Sequence, residues 1–163
     1  MNDLARYDVA PTALATQSPA VLYVIFRVGD AEYALAADSI FQMESFTGAT
    51  AVPGAPSFVI GIVHLRGRIV PIVDLRLRFG LVPGPTVLEN RIVVGLCRER
   101  LVGLLVDSGR EVLKISPTQF QAPPKILEEQ TGGFIKAVAQ VGTRVIMLVD
   151  FAKLIGEESL DGV

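Results

Sequence analysis

The chain has 163 residues, 50% of them apolar, with 15 basic and 17 acidic side chains and a formal net charge of −2. That length suffices for one domain or two small joined lobes, and the balanced charge argues against a general nucleic-acid binder. A single cysteine, Cys97, excludes an internal disulfide and any all-cysteine metal site, while no apolar run reaches the ~18 residues that a membrane-spanning helix needs.

Residues 1–19 are rich in Ala, Thr, Ser and Pro without periodicity and read as a flexible tail. Neither a signal peptide nor an anchor is evident there, so a cytoplasmic location is expected. Val21 to Val28 reads as a near-continuous apolar strand, Gly29-Asp30 as a turn and Glu32 to Leu35 as a second strand. Ala36-Ala37-Asp38 is long enough for one helical turn, and Ile40 to Phe46 has the mixed pattern of a half-exposed strand. A loop holding Pro53, Gly54 and Pro56 follows. Ile60, Ile62 and Val63 then predict a buried strand, His64 to Gly67 a turn, and Ile69 to Val73 the return strand. Asp74 stands where an N-cap belongs, Leu75 and Phe79 share one helical face, and Gly80 is placed to stop a short helix.

Pro83, Gly84 and Pro85 separate this half from the next. Strands are expected at about 91–97, 101–106, 111–115, 134–140 and 144–149, with a Pro-containing loop over 116–125 and a helix over 151–155. Cys97, next to an apolar run, reads as a small buried hydrophobe. Residues 157–163 form an acidic tail. Some ten short strands with only short helices predict an all-β architecture of two small barrels.

The two halves repeat each other. Residues 68–80 align without a gap on residues 144–156, pairing Asp74 with Asp150 and Gly80 with Gly156, and Phe58 falls on Phe134. A second offset sets residues 33–39 on 102–108 and residues 22–27 on 91–96. The copies therefore span about 20–80 and 89–156, and the second is longer by seven residues placed between about 114 and 133. Two lobes follow as the expectation, one near 20–82 and one near 88–150.

Chemistry-bearing constellations are sparse. Paired carboxylates in two repeats could build a two-lobed hydrolase on Asp74 and Asp150, but each precedes a short helix as a cap, and neither is followed by the small hydroxyl residue and Gly of the aspartic-protease motif. His64, the sole histidine, has no second His, no nearby Cys and no HExxH spacing, so it reads as a turn residue or a partner contact, with no metal site. No Gly-x-Ser-x-Gly, Walker-type or Gly-x-Gly-x-x-Gly segment occurs. Arg66, Arg68, Arg76 and Arg78 concentrate positive charge against Asp74 alone within 61–80. Arg66 is distinct because a turn tip aims its fork outward as an interface anchor. Single-stranded nucleic-acid binding is the alternative use of small basic barrels, but it wants aromatic stacking faces, and Tyr23 and Tyr33 read as core.

Residues 61–80, Gly-Ile-Val-His-Leu-Arg-Gly-Arg-Ile-Val-Pro-Ile-Val-Asp-Leu-Arg-Leu-Arg-Phe-Gly, closely resemble the signature segment of the CheW family of bacterial chemotaxis coupling proteins. Gly29-Asp30 with Glu32-Tyr33, Val102 to Asp107 and Leu148-Val149-Asp150 also look like the family's pattern, so that the resemblance covers about residues 20–156. It implies two SH3-like five-stranded barrels, no catalysis, no cofactor, and an adaptor joining chemoreceptor cytoplasmic tips to the regulatory domain of a CheA-type histidine kinase in arrays at the inner membrane face. It implies that Arg66 is the functionally sensitive arginine and that Ile40 lies on a partner-contacting strand, with Gln42, His64, Leu65 and Gly67 nearby in role. Pro71, Asp74, Arg76, Gly80, Asp150 and Gly156 would shape the hairpins and helices. Two departures stand out: His64 replaces the usual Asn, and Gln42 stands where many members carry Glu.

Overall fold

A computed structural model describes residues 20–82 and 84–156; the expected tails at 1–19 and 157–163 lie outside that range. The elements in order are β1 (Val21–Val28), β2 (Ala31–Ala36), β3 (Ile40–Ser45), β4 (Val59–Leu65), β5 (Arg68–Asp74), α1 (Leu75–Arg78), β6 (Arg91–Cys97), β7 (Arg100–Val106), β8 (Ser108–Ile115), β9 (Phe120–Gln121), α2 (Lys125–Gln130), β10 (Ile135–Val141), β11 (Arg144–Val149) and α3 (Phe151–Ile155). The chain is all-β, and its strands make two sheets, ordered β8-β1-β2-β11-β10-β9 and β3-β6-β7-β5-β4.

Those orders correct the expectation of sequential lobes at 20–82 and 88–150. Each half gives its first hairpin to the other: β1 pairs with β8 and β2 runs parallel to β11, while β6 pairs with β3 and β7 runs parallel to β5. One barrel is thus continuous in sequence from β3 to β7, and the second is assembled from β1–β2 and β8–β11. The hairpins' own pattern is compatible with either arrangement, because a period of two does not name the neighbouring strand. They are apolar on both faces, and a strand of that kind is satisfied only where packing covers both of its sides.

Three cores supply those sides. Tyr23, Ile25, Ile115, Ala139 and Ile146 fill the second barrel, and Phe46, Val70, Ile72, Ile92, Val94 and Leu105 fill the first. Between the barrels lies a shared core in which Phe26, Leu35, Val73, Leu75, Val93, Leu104, Val149 and Leu154 meet. Alternation along β5 and β7 shows the division, with Ile72 and Leu105 turned into the first barrel and Val73 and Leu104 into the shared core. Cys97 is half-buried against that shared core, less enclosed than its apolar setting predicts.

The repeat holds down to register. Phe41 and Arg110 are both bypassed where pairing shifts: Ile40 faces Gly95 and Gln42 faces Val94, just as Phe26 faces Gly109 and Ile25 faces Glu111. Each sheet is closed by chain that follows its edge strand. After β3, Thr50 exchanges two backbone bonds with Ile62, at 2.8 and 2.9 Å. Gly61 permits that approach, because a Cβ there would collide with the Thr50 carbonyl. After β8, the chain turns through a 3-10 segment capped by Ser116 and enters β9, which pairs with β10. The segment 116–125 was expected to be loop; it holds this turn, β9 and the start of α2. Helix α2 occupies much of the extra length in the second copy, and its six residues, with no side-chain N-cap, carry too little pattern to announce themselves.

Candidate functional site

The β4–β5 hairpin ends in a two-residue turn, Arg66-Gly67, closed by the pair Leu65 and Arg68. Both turn residues have positive φ, 48° at Arg66 and 80° at Gly67, the geometry whose twist matches that of paired strands. Glycine takes it freely, whereas a non-glycine residue there costs backbone energy. Pro71 fits the same hairpin because its partner Ile62 directs its own backbone groups to Thr50 and asks for no amide from β5.

His64, Arg66, Gly67, Arg68 and Ile69 are all exposed, and Leu65 is half-buried against the first barrel's core. Neither Arg66 nor Arg68 has an ion-pair partner among the described residues. The structure therefore brings His64, Leu65, Arg66 and Gly67 together at one projecting end. Ile40 and Gln42 belong instead to β3, whose paired neighbour is β6. Ile40 packs on the shared core, and the Gln42 Nε2 is buried with no hydrogen-bond partner among the described residues.

The other two arginines of the cluster are engaged. Arg76 is buried at 8% exposure and clasps Asp74, its Nε donating to Oδ1 at 3.1 Å and an Nη donating to Oδ2 at 3.2 Å. Asp74 also caps α1 by accepting from the Arg76 backbone N–H at 2.9 Å. Arg76 further lies 3.6 Å from Asp107, whose other oxygen accepts from Gly29 N–H at 2.6 Å, so the network runs from α1 in the first barrel to the β1–β2 turn of the second. Arg78 donates to the carbonyls of Leu154 and Lys153 in α3 at 2.8 and 3.3 Å. Its guanidinium lies 4.1 Å from the ring centre of Phe58 and 4.7 Å from that of Phe134, the two phenylalanines that the repeat equates. Burial between those rings lowers the Arg78 pKa from its ordinary value. Gly156, in the left-handed region at φ 58°, ends α3, and Gly80 at φ 77° follows α1.

Beside the hairpin a groove of about 540 Å³ opens at the first barrel's seam, between the chain after β3 and the edge of β4, with Ile62, His64, Ile69 and Ile92 among its walls. Residue-by-residue reading of the sequence missed this groove. Its one legible sign was Ile69, an apolar residue next to the turn that ends 65% exposed. No group of three His, Cys, Asp or Glu side chains suited to a metal occurs among the described residues, and none of their helices is long and apolar enough to cross a membrane.

Comparison with known proteins places these features in a family. The family model described as CheW-like domain matches residues 22–159. A chemotaxis protein CheW of Rhizobium meliloti is 33% identical over 83% of this chain and 87% of its own length, and a probable chemotaxis protein CheW of Rhizobium etli is 31% identical over 82% and 86%. The crystal structure of the scaffolding protein TtCheW from Thermoanaerobacter tengcongensis superposes with a TM-score of 0.75 at 26% identity, covering 82% of this chain and 90% of that one. The chain belongs to the CheW-like domain family.

Proposed function

We propose that this chain is a non-catalytic signalling adaptor that couples chemoreceptors to a CheA-type histidine kinase in chemotaxis or a related motility pathway, working at receptor arrays on the inner membrane face. The observation that carries the reading is the sorting of the four clustered arginines. Arg76 and Arg78 are engaged in holding the two barrels together, and Arg66 and Arg68 project from the hairpin end without carboxylate partners among the described residues. Such unengaged, always-charged forks on a rigid turn suit a transient interface in which a few residues dominate.

Arg66 is the residue on which the adaptor role turns, with His64, Leu65 and Gly67 shaping its presentation and with Ile40 and Gln42 on a second contact strand. Arg66→Ala removes no contact that holds the fold, so its melting transition is expected to match that of the unsubstituted chain. Calorimetric titration against a receptor signalling-tip fragment and a kinase regulatory-domain fragment should then show binding weakened by roughly 2 kcal/mol for at least one of them. Full affinity for both would remove Arg66 from the interface. Co-sedimentation of receptor tip and kinase with and without this chain tests the adaptor role itself.

A further inference from the structure

Where the two barrels meet beside α1, a cavity of about 140 Å³ runs in from the surface. Exposed Leu81 stands at its mouth, half-buried Arg78, Phe79 and Phe134 wall it, and buried Tyr33 and Ile135 lie at its inner end. The aromatic side chains stand ring against ring, Tyr33 and Phe79 at 4.9 Å between centres and Phe79 and Phe134 at 6.3 Å. The volume is close to the ~150 Å³ of an apolar cavity that holds benzene. A single ring fills such a space.

The polar groups of the wall are short of partners. Arg78 commits one edge of its fork, Nε and Nη2, to the carbonyls of Leu154 and Lys153, and its Nη1 meets no acceptor among the described residues. No carboxylate among those residues pairs with it, so a charge partly withdrawn from water is answered only by carbonyl dipoles and the faces of Phe58 and Phe134. The Tyr33 hydroxyl has no hydrogen bond to a described residue, and burial raises its pKa, which keeps it a donor. Lys153 adds positive charge nearby, its Nζ 3.5 Å from where a side chain on Gly133 would begin.

The repeat shows that joining the barrels does not by itself call for these groups. The counterparts of Tyr33, Arg78, Phe79 and Ile135 are Val102, Leu154, Ile155 and Val59, all in the shared core and each at most 6% exposed. One copy of the joint is closed by aliphatic side chains. The other holds a cation, a phenol and an open space, and its wall is completed by Thr131, which follows α2, a helix that the first copy lacks.

We propose that this cavity binds a small aromatic carboxylate of one ring, the ring against Phe79 and Phe134 and the carboxylate on the free end of the Arg78 fork. A short aliphatic acid has too little surface to fill the space, and a neutral ring leaves the guanidinium without a counter-ion. The site shares no residue with the hairpin end and stands apart from the adaptor reading.

Titration of benzoate, benzamide and acetate into the full chain, followed by NMR amide shifts, tests it. Benzoate is expected to give saturable shifts gathered at Tyr33, Phe79, Thr131 and Phe134. Benzamide, its neutral counterpart, and acetate, which lacks the ring, should each bind about tenfold more weakly or worse. Either of them binding as tightly as benzoate overturns the proposal, as do benzoate shifts that fail to saturate or that gather elsewhere. Arg78→Gln, once its amide spectrum shows an intact fold, should weaken benzoate by about tenfold or more, and undiminished affinity there also overturns it. Because Arg78 helps to hold α3, the ligand series on the unsubstituted chain decides the matter even where that variant does not fold.

Discussion

Asp74 opens α1 and Asp150 opens α3, and the two backbones are tied alike, Asp74 N–H donating to the Phe58 carbonyl and Asp150 N–H to the Phe134 carbonyl at 2.8 Å each. What the side chains hold differs. Asp150 is half-buried and accepts from the Lys153 backbone at 3.2 Å, a cap and nothing more among the described contacts. Asp74 is 3% exposed and serves as cap and as counter-ion of Arg76, where the second copy has Ala152. Duplication supplied the same helix twice, and one copy has become the joint between barrels. Arg76 reaches Asp107 and thereby Gly29, and Arg78 reaches the backbone of Leu154, its own counterpart in the repeat.

Removing the two caps separates these roles. Asp74→Ala leaves a guanidinium in the interior with Asp107 as its one remaining carboxylate among the described residues, and breaking a buried pair in this way costs about 3–5 kcal/mol; the retained Asp107 contact puts the expectation at about 3 kcal/mol. Asp150→Ala should cost about 1 kcal/mol, the ordinary value of an N-cap. Chemical denaturation of both variants measures the difference, and equal losses would contradict the division of labour between the copies. Arg78→Ala falls between them at about 2 kcal/mol, since it removes two charge-assisted bonds to α3 and a cation held between two rings. Arg78→Lys should recover only part of that loss, because a point charge cannot bond two carbonyls and stack on two faces together. Full recovery would mean that charge alone matters there.

How far the sequence carried this depends on range. The repeat, the Asp-headed helices and the hairpin turn were legible, because each is written in residues close together: Asp before Leu-x-x-x-Phe-Gly, Gly67 at the turn, β-branched runs on either side. The exchange of hairpins was not legible, because both arrangements bury the same strands and a periodicity of two does not name the neighbour. The fates of Arg76 and Arg78 were hidden for the same reason. A short helix written Leu-Arg-Leu-Arg suggests a solvated face, and only the second barrel, brought from the other half of the chain, turns that face inward. The seam groove depends on small residues at 47–50, whose absence of bulk leaves no positive pattern.

The comparison extends to the arginines that follow the hairpin turns. Arg144 is clasped by two carboxylates, donating to Glu32 at 3.0 and 2.7 Å and to Glu111 at 3.1 and 2.7 Å. In the first barrel the positions of Glu32 and Glu111 are held by Leu101 and Gln42, and the counterpart Arg68 stands exposed. The Arg144 bonds hold the carboxyls of Glu32 and Glu111 below the usual glutamate value of 4.5, and the two acids raise the pKa of Arg144 in turn. A carboxyl whose folded pKa lies below its unfolded pKa contributes stability that is complete above the unfolded value and is lost as pH falls through the folded one. Arg144→Gln should therefore lower the denaturant midpoint at pH 7, the gap from the unsubstituted chain closing as pH drops from about 5 towards about 3. Partial exposure of the triad makes this the smallest of the stability effects. Arg68→Ala should leave the midpoint unmoved at every pH, because no carboxylate among the described residues answers it. A pH-independent deficit in Arg144→Gln would show that its packing, and not its charge, is what the second barrel uses. A deficit in Arg68→Ala equal to that of Arg144→Gln would erase the asymmetry between the two arginines, one clasped by carboxylates and the other exposed.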